Sequence, residues 1–158
     1  MRRELRFEVR GQAQPQGSHK IAGRKGGFGR VVDGNENLPG WRDTVMHAAR
    51  AAIEADAGWA GPIPGAVEMR VHFYLKRPVS APKTKDVPAI KKPDISKLVR
   101  AIEDSCTDAG VYVDDAQIVS LVTTKQYAVS RDLSRIHIQG QHEESPVARV
   151  SIREVELY

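Results

Sequence analysis

The chain has 158 residues and a formal net charge of +4, and its 41% hydrophobic and 28% charged content is typical of a globular protein. A single domain, 1–158, is expected at this length, and no apolar run reaches the roughly 18 residues of a membrane helix. Cys106 is the only cysteine, which excludes an internal disulfide and a multi-cysteine zinc site and predicts a buried, reduced thiol.

The first half of the chain alternates between strand patterns and polar segments. Apolar residues at 5, 7 and 9 alternate with charged residues, which predicts a strand of a sheet. Residues 11–39 show no apolar periodicity and are rich in Gly, Pro, Ser, Gln and basic residues, so we expect a long, basic, flexible loop there. Alanine-rich residues 41–57 predict a first helix, and the alternation over residues 67–75 predicts the clearest strand.

The second half predicts one more helix and further strands. Residues 76–93 are rich in Pro and Lys and predict an exposed, flexible loop. Apolar residues then recur at helical spacing over 95–109, with Asp94 at the N-cap position. A short strand is predicted at 111–113, followed by a turn at the acidic pair 114–115. Two longer strands are predicted at 117–127 and 147–157, with a loop at 130–145 between them. This order predicts an α+β domain in which two main helices pack on a mixed sheet of about four strands.

Basic residues concentrate in two segments. Residues 1–33 hold eight Lys or Arg against three acids, and residues 76–100 hold eight against two, which leaves the rest of the chain acidic. Neutralisation of phosphates supplies most of the non-specific affinity of proteins for nucleic acid, so these segments predict contacts with a DNA backbone. Either cluster alone is explained equally well by a solvated loop. The residues expected to contact DNA are Lys20, Arg24, Lys25, Arg30, Lys83, Lys85, Lys91, Lys92 and Lys97.

Three carboxylates lie within or beside the second basic segment. Asp94 alone is explained by a helix cap. Asp114 and Asp115 are adjacent and repel each other, which favours a cation or a basic partner nearby. If the strand that follows them pairs back beside the helix start, one of the two meets Asp94, and the set can hold a hard cation such as Mg²⁺. A metal that polarises a phosphoryl oxygen and activates water is the usual means of hydrolysing a phosphodiester.

The acids belong to a longer pattern, which consists of Pro93, Asp94, Ile95, Leu98, Arg100, Ala101, Asp104, Asp108, Ala109, Gly110, residues 114–119 and Lys125. This pattern resembles the RusA-like Holliday junction resolvases of phages and prophages. The resemblance implies a homodimer that nicks four-way DNA junctions in recombination and repair. It also implies Mg²⁺, with Mn²⁺ as an alternative, bound by Asp94, Asp114 and Asp115, of which Asp115 is the catalytic acid. The N-terminus lacks the apolar core of a secretory signal, so we expect the cytoplasm, here that of a bacterial host.

Two positions depart from the family pattern, which has Asp-x-Asp at the helix start and a Lys one turn later. Arg100 replaces the Lys, keeps its charge and can orient a phosphate together with Lys97. Ser96 replaces the second Asp and removes an anionic ligand, so water, a hydroxyl or the scissile phosphate would have to fill the vacancy. Glu103 lies on the same helix face as Ser96, but roughly 10 Å along the axis, so we do not expect it to substitute.

The first hypothesis is therefore a metal-dependent endodeoxyribonuclease that resolves four-way junctions by paired phosphodiester hydrolysis, with Asp94, Asp114, Asp115 and Arg100 as its catalytic residues. The alternative is a protein that binds branched DNA and whose catalysis is weakened or lost through Ser96. A third interpretation is an unrelated basic domain whose acidic side chains only cap a helix or keep the surface solvated. No membrane partner is expected.

Overall fold

The computed structural model describes residues 2–17, 19–23, 26–27, 29–82, 85–129 and 145–156. These residues include two helices and a 3₁₀ turn, Asp115–Gln117, that follows the second helix. In chain order the elements are β1 Glu4–Arg10, β2 His19–Ala22, β3 Arg30–Asp33, α1 Leu38–Ala55, β4 Val67–Leu75, α2 Ile95–Ala109, β5 Ile118–Tyr127 and β6 Val147–Glu154. The predicted α+β fold, with two helices and a mixed four-stranded sheet, is confirmed.

The main sheet has the strand order β1-β6-β4-β5. β6 is antiparallel to both of its neighbours, whereas β5 runs parallel to β4. Leu5, Phe7 and Val9 of β1 are buried and alternate with exposed charged residues, because one face of the sheet is covered and the other meets solvent. Val71 and Phe73 of the central strand β4 are fully buried, so the core lies between this strand and the helices.

Both helices pack on the sheet through apolar stripes. In α1 the buried residues Leu38, Trp41, Val45 and Ala49 recur every three or four positions, which places them on one face. α2 ends at Gly110, whose φ of +80° is the left-handed conformation that glycine adopts readily after a helix. The two helices also contact each other, and together they form a single apolar layer over the sheet.

The thiol of Cys106 is fully buried in α2, as predicted, and burial raises its pKa. Ser105 is the buried polar residue beside it, and its hydroxyl donates a hydrogen bond to the carbonyl of Ala101 at 2.6 Å. The apolar face of α2 is therefore closed to solvent, so any chemistry on this helix is confined to the opposite, polar face. None of the helices among the described residues is both long enough and apolar enough to span a bilayer.

Two predictions about local structure are wrong. Residues 11–39 are not one loop, because β2 and β3 pair antiparallel within them and α1 begins inside them. Strands of four residues are too short for alternation to stand out in the sequence. Residues 111–113 do not form a regular strand, and only Tyr112 makes an isolated bridge, to Ile63. The described part of 76–93 forms neither helix nor strand, as predicted, and the predicted loop at 130–145 lies almost wholly outside the described residues.

Candidate active site

The open face of α2 carries three of the polar residues identified in the sequence. Ser96 and Arg100 are exposed and Glu103 is half-buried, and their spacing of four and three residues places them on one side of the helix. Leu98 and Ile102 face the core and are fully buried. The packing of the apolar face therefore fixes the direction in which the polar side chains project.

Asp115 reaches the middle of α2 because the chain reverses at Gly110 and returns along the helix. Tyr112, on the returning segment, donates a hydrogen bond from its hydroxyl to the backbone carbonyl of Glu103 at 2.8 Å. The 3₁₀ turn that begins with Asp115 packs against α2. The exposed carboxylate of Asp115 thereby lies near the middle of α2, although the returning segment separates the two in the sequence.

Glu103 and Asp115 interact electrostatically. Burial raises the pKa of the Glu103 carboxyl, the negative charges of Asp115 and Asp104 raise it further, and the guanidinium of Arg100 lowers it. The sequence does not predict a role for Glu103, because spacing along the helix shows only its distance from Ser96. The combination of a helix face shared with Arg100 and a short return segment after Gly110 is the signal that points to it.

Asp114 stabilises the turn that presents Asp115. Its carboxylate accepts a hydrogen bond from the backbone N–H of Ala116 at 2.8 Å. It also accepts from the backbone N–H of Gln117, whose side chain in return accepts from the N–H of Asp114 at 2.9 Å, which forms a capping box. The Gln117 amide also donates to the carbonyl of Ile63 at 2.9 Å. Asp114 therefore has a structural role here, in addition to the supporting ligand role expected from the sequence.

Asp94 lies at the other end of α2, where it lines a cleft of about 470 Å³. It occupies the N-cap position, but its carboxylate makes no cap hydrogen bond. Instead, its backbone carbonyl accepts from the N–H groups of Lys97 and Leu98, both at 3.1 Å. The helix-cap interpretation of this carboxylate is therefore wrong. The other residues that line the cleft include Gln12, Gln14, Asn35, Lys92, Pro93 and Lys97.

The end of β5, not its start, meets the beginning of α2. The ammonium group of Lys125 donates hydrogen bonds to the carbonyls of Lys91 at 2.9 Å and Pro93 at 2.8 Å. The acidic pair directly precedes β5 in the chain, so it lies at the opposite end of the strand from this contact. Within the part of the chain that the structure describes, no three His, Cys, Asp or Glu side chains come together in a way that could hold a metal ion. The gathering of three carboxylates expected from the sequence is thus not found there.

The N-terminal segment before β2 contacts α2 between Lys97 and Asp104. The N–H of Gln16 donates to the carbonyl of Lys97 at 2.9 Å, and its side-chain amide donates to the carboxylate of Asp104. Gly17 has a φ of +108°, and a Cβ at this position would lie 3.7 Å from the Arg100 guanidinium. Glycine is therefore favoured here by the backbone conformation, whereas the distance to Arg100 would leave room for a side-chain carbon.

The basic residues predicted to contact DNA are partly located by the structure. Lys20 on β2 is exposed, and Lys97 is half-buried beside the cleft. Lys85, Lys91 and Lys92, in the loop before α2, are also exposed. Arg24, Lys25, Lys83 and the side chain of Arg30 lie outside what the structure describes.

Replacing Lys125 with Met is expected to lower the free energy of unfolding by about 1–3 kcal/mol, because two charge-assisted hydrogen bonds to backbone carbonyls are lost. Urea denaturation measures the change. The control is Lys20→Met, an exposed position where a change within about 0.5 kcal/mol is expected. Equal destabilisation by both substitutions would show that Lys125 does not anchor the residues before Asp94.

Replacing Glu103 with Gln is expected to raise the melting temperature at pH 8 and to leave it nearly unchanged at pH 3.5. The raised pKa means that the folded state favours protonated Glu103, so wild-type stability falls as the pH rises from the ordinary value of 4.5 through the higher folded pKa. A glutamine cannot ionise and avoids this loss. Metal-free thermal unfolding tests the difference, with exposed Glu54→Gln as the control. The same shift at both pH values would contradict the expectation.

Comparison with known proteins adds one finding. A family model described as Endodeoxyribonuclease RusA matches residues 8–139, which is most of the chain. The matched range includes α2, the 3₁₀ turn and the whole of β5. No curated protein matches the chain.

Proposed function

Because the chain belongs to the RusA endodeoxyribonuclease family, we propose that it resolves four-way (Holliday) DNA junctions by metal-dependent hydrolysis of paired phosphodiesters, in recombination and repair. The observation that carries the proposal is the packing of the turn that begins with Asp115 against α2, where the Asp115 charge acts on Glu103 on the helix face shared with Arg100. The proposed enzyme is a homodimer in the cytoplasm of a bacterial cell, with branched DNA as its partner.

Asp115 and Glu103 are the proposed ligands of a Mg²⁺ ion, or of Mn²⁺ in its place. Mg²⁺ is usually held by one or two carboxylates together with water and substrate phosphates, so a cage of three acids is not required. The charge of Asp115 disfavours ionisation of Glu103, and a cation between the two would remove that repulsion. A bound ion would polarise a phosphoryl oxygen and make water a stronger nucleophile.

Arg100 is the proposed phosphate-orienting residue. Its planar guanidinium stays charged and can donate two parallel hydrogen bonds to phosphate oxygens. It lies one helical turn from both Ser96 and Glu103 on the same face, and it already lowers the pKa of Glu103 through its charge. A phosphate held by Arg100 would therefore lie close to the acidic pair, where the reaction takes place.

Asp94 and the lysines around it are proposed to receive the DNA next to this phosphate. Asp94 is nine residues before Glu103, or roughly 13 Å along the helix axis, so it is too far away to share one ion with the acidic pair. Lys92 and Lys97 line the same cleft and can contact the backbone without reading sequence. Asp94 itself is proposed to bind a cation that accompanies the DNA into the cleft, in keeping with its expected role as a metal ligand.

The competing function is binding of branched DNA without catalysis, and the exposed Ser96, which offers no negative charge on the reactive face, is the observation that favours it. A synthetic four-way junction, incubated with the protein in Mg²⁺ and separately in Mn²⁺, distinguishes the two. Paired nicks in opposing strands, with a linear duplex of the same arm sequence left intact, are expected. Binding without nicking in either metal would support the competing function. If the protein binds neither DNA at low salt, both junction cleavage and branched-DNA binding are excluded, and only the interpretation as an unrelated basic domain is left.

A further inference from the structure

The face of the main sheet that points away from the helices is rich in arginine. Every second residue of β1, β4 and β6 is buried toward the helices, so the residues between them share the opposite face. We call this the open sheet face. Over these three strands it carries the charged residues Arg6, Arg10, Arg70, Arg149, Arg153, Glu4, Glu8 and Glu68. Five arginines against three glutamates leave a surplus of two positive charges.

The glutamates of the open sheet face are shared between arginines. Glu68 accepts a hydrogen bond from Arg70 at 2.9 Å, and the same carboxylate lies 3.0 Å from the guanidinium of Arg153. Glu8 is shared in the same way between an arginine of its own strand and one of β6. Each guanidinium has five N–H donors, so one carboxylate cannot satisfy both Arg70 and Arg153. These two arginines therefore keep donors for a second anion.

A cleft of about 410 Å³ lies between these side chains. Ser151 of β6 is at its middle, opposite Arg6 of β1 on one side and opposite Arg70 of β4 on the other. Neighbouring strands are about 4.8 Å apart, so the two arginines rise from backbone positions roughly 10 Å apart, with a small side chain between them. Both are exposed, and Arg149 and His72 also line the cleft. The cleft is therefore a basic hollow.

Arg149 is held in place beside the cleft. Its guanidinium lies over the ring of Tyr74, 5.3 Å from the ring centroid, and its Nε donates a hydrogen bond to Glu8 at 3.1 Å. The side chain therefore has less conformational freedom to lose when an anion binds, which favours binding.

The chemistry of the open sheet face fits the phosphates of a nucleic acid better than the surface of a protein. Protein interfaces have cores that are depleted in charged residues and enriched in aromatic residues and methionine. Among the described residues, the exposed large apolar side chain on this face is Val122 of the edge strand β5, opposite Arg70. Arginine can hold a phosphate group by two parallel hydrogen bonds, and a DNA strand presents phosphates at regular intervals.

We propose that the open sheet face is a second surface for the DNA backbone, separate from the acidic pair and from the cleft beside Asp94. It lies on the other side of the sheet from both helices, so it contacts a different arm of the branched substrate from the one at α2. The inference rests on the proposed function for DNA as the partner. Its arginines come from β1, β4 and β6, so counting charges along the sequence does not reveal the surface.

Replacing Arg70 with Gln tests this surface. Loss of one phosphate contact is expected to reduce the slope of log affinity against log salt concentration by about one, and to weaken binding to a four-way junction by about threefold or more at low salt. Glu68 keeps Arg153 as a partner, so the variant should fold, which circular dichroism checks. Arg70→Lys keeps the charge and should keep the wild-type slope. Fluorescence anisotropy without metal measures the affinity.

Arg6→Gln is an independent variant on the other side of the cleft, and the same decrease in slope is expected. The matched control is Arg50→Gln, which removes one charge from an exposed arginine of α1, outside the open sheet face. Its slope and affinity are expected to match those of wild type.

A wild-type slope in both Arg70→Gln and Arg6→Gln, or an equal decrease in Arg50→Gln, would overturn the inference. If the wild-type protein nicks the junction in that case, the proposed function still stands. If the slope falls in both variants but the wild-type protein nicks no junction in Mg²⁺ or Mn²⁺, the inference is supported and the proposed cleavage is overturned.

Discussion

Replacing Asp115 with Asn is expected to lower the single-turnover nicking rate on a four-way junction by about a thousandfold. The amide keeps the size of the side chain but removes the negative charge proposed to hold the ion, and metal stabilisation of the transition state contributes several kcal/mol. Asp115 is exposed, so folding should be unaffected. DNA affinity, measured by fluorescence anisotropy, should be unchanged or tighter, because one charge that repels phosphate is lost.

Asp114→Asn is the matched control for this substitution. The amide oxygen can still accept the hydrogen bond from the N–H of Ala116, so the turn that presents Asp115 should persist. A loss of less than about tenfold is expected, since Asp114 is a supporting residue and not the principal ligand. An Asp115→Asn variant that nicks at the wild-type rate would remove Asp115 from the site. Equal, large losses in both variants would show that the acidic turn acts as a unit.

Replacing Ser96 with Asp is expected to lower the Mg²⁺ concentration needed for half-maximal nicking by about tenfold or more. The substitution adds a carboxylate two residues from Asp94, which is proposed to bind the cation that enters with the DNA, and the charge of the ligand set strongly influences the affinity for hard cations. Ser96 is exposed, so the new charge is solvated and should not disturb packing. The dependence of the single-turnover rate on Mg²⁺ measures the effect.

Ser96→Asn separates the effect of charge from that of size, because it adds a similar volume without an anion. Its Mg²⁺ requirement is expected to stay close to that of wild type. If Ser96→Asp and Ser96→Asn behave alike, the serine is not the limiting ligand. If Ser96→Asp requires more Mg²⁺ than wild type, the added carboxylate does not bind the cation, and position 96 lies outside the metal site.

The parts of the fold that the sequence predicts are those with a long periodic signal. β4 and α2 follow from apolar spacing over nine and fifteen residues, since a buried face must repeat with the period of the element. β2 and β3 are missed because strands of four residues are too short to carry such a signal. Their pairing depends on the backbone and cannot be derived from side-chain alternation.

The candidate site is predicted only in part, for a related reason. Asp115 and Arg100 stand out by residue type and resemblance. The association of Asp115 with Glu103 depends on the return of the chain along α2 after Gly110. The separation of Asp94 from the acidic pair depends on the parallel direction of β5, which brings Lys125 to the helix start instead. Both are relations between elements, and spacing within one element does not determine them.

The position of the metal ion tests the central claim most directly. Crystals of the protein with a four-way junction and Mn²⁺ would locate the ion by its anomalous scattering. The expected result is an anomalous peak in coordination contact with carboxylate oxygens of both Asp115 and Glu103, with a phosphate beside Arg100. A peak bound by Asp94 with none at Glu103, or junction DNA bound with no ion near Asp115, would contradict it.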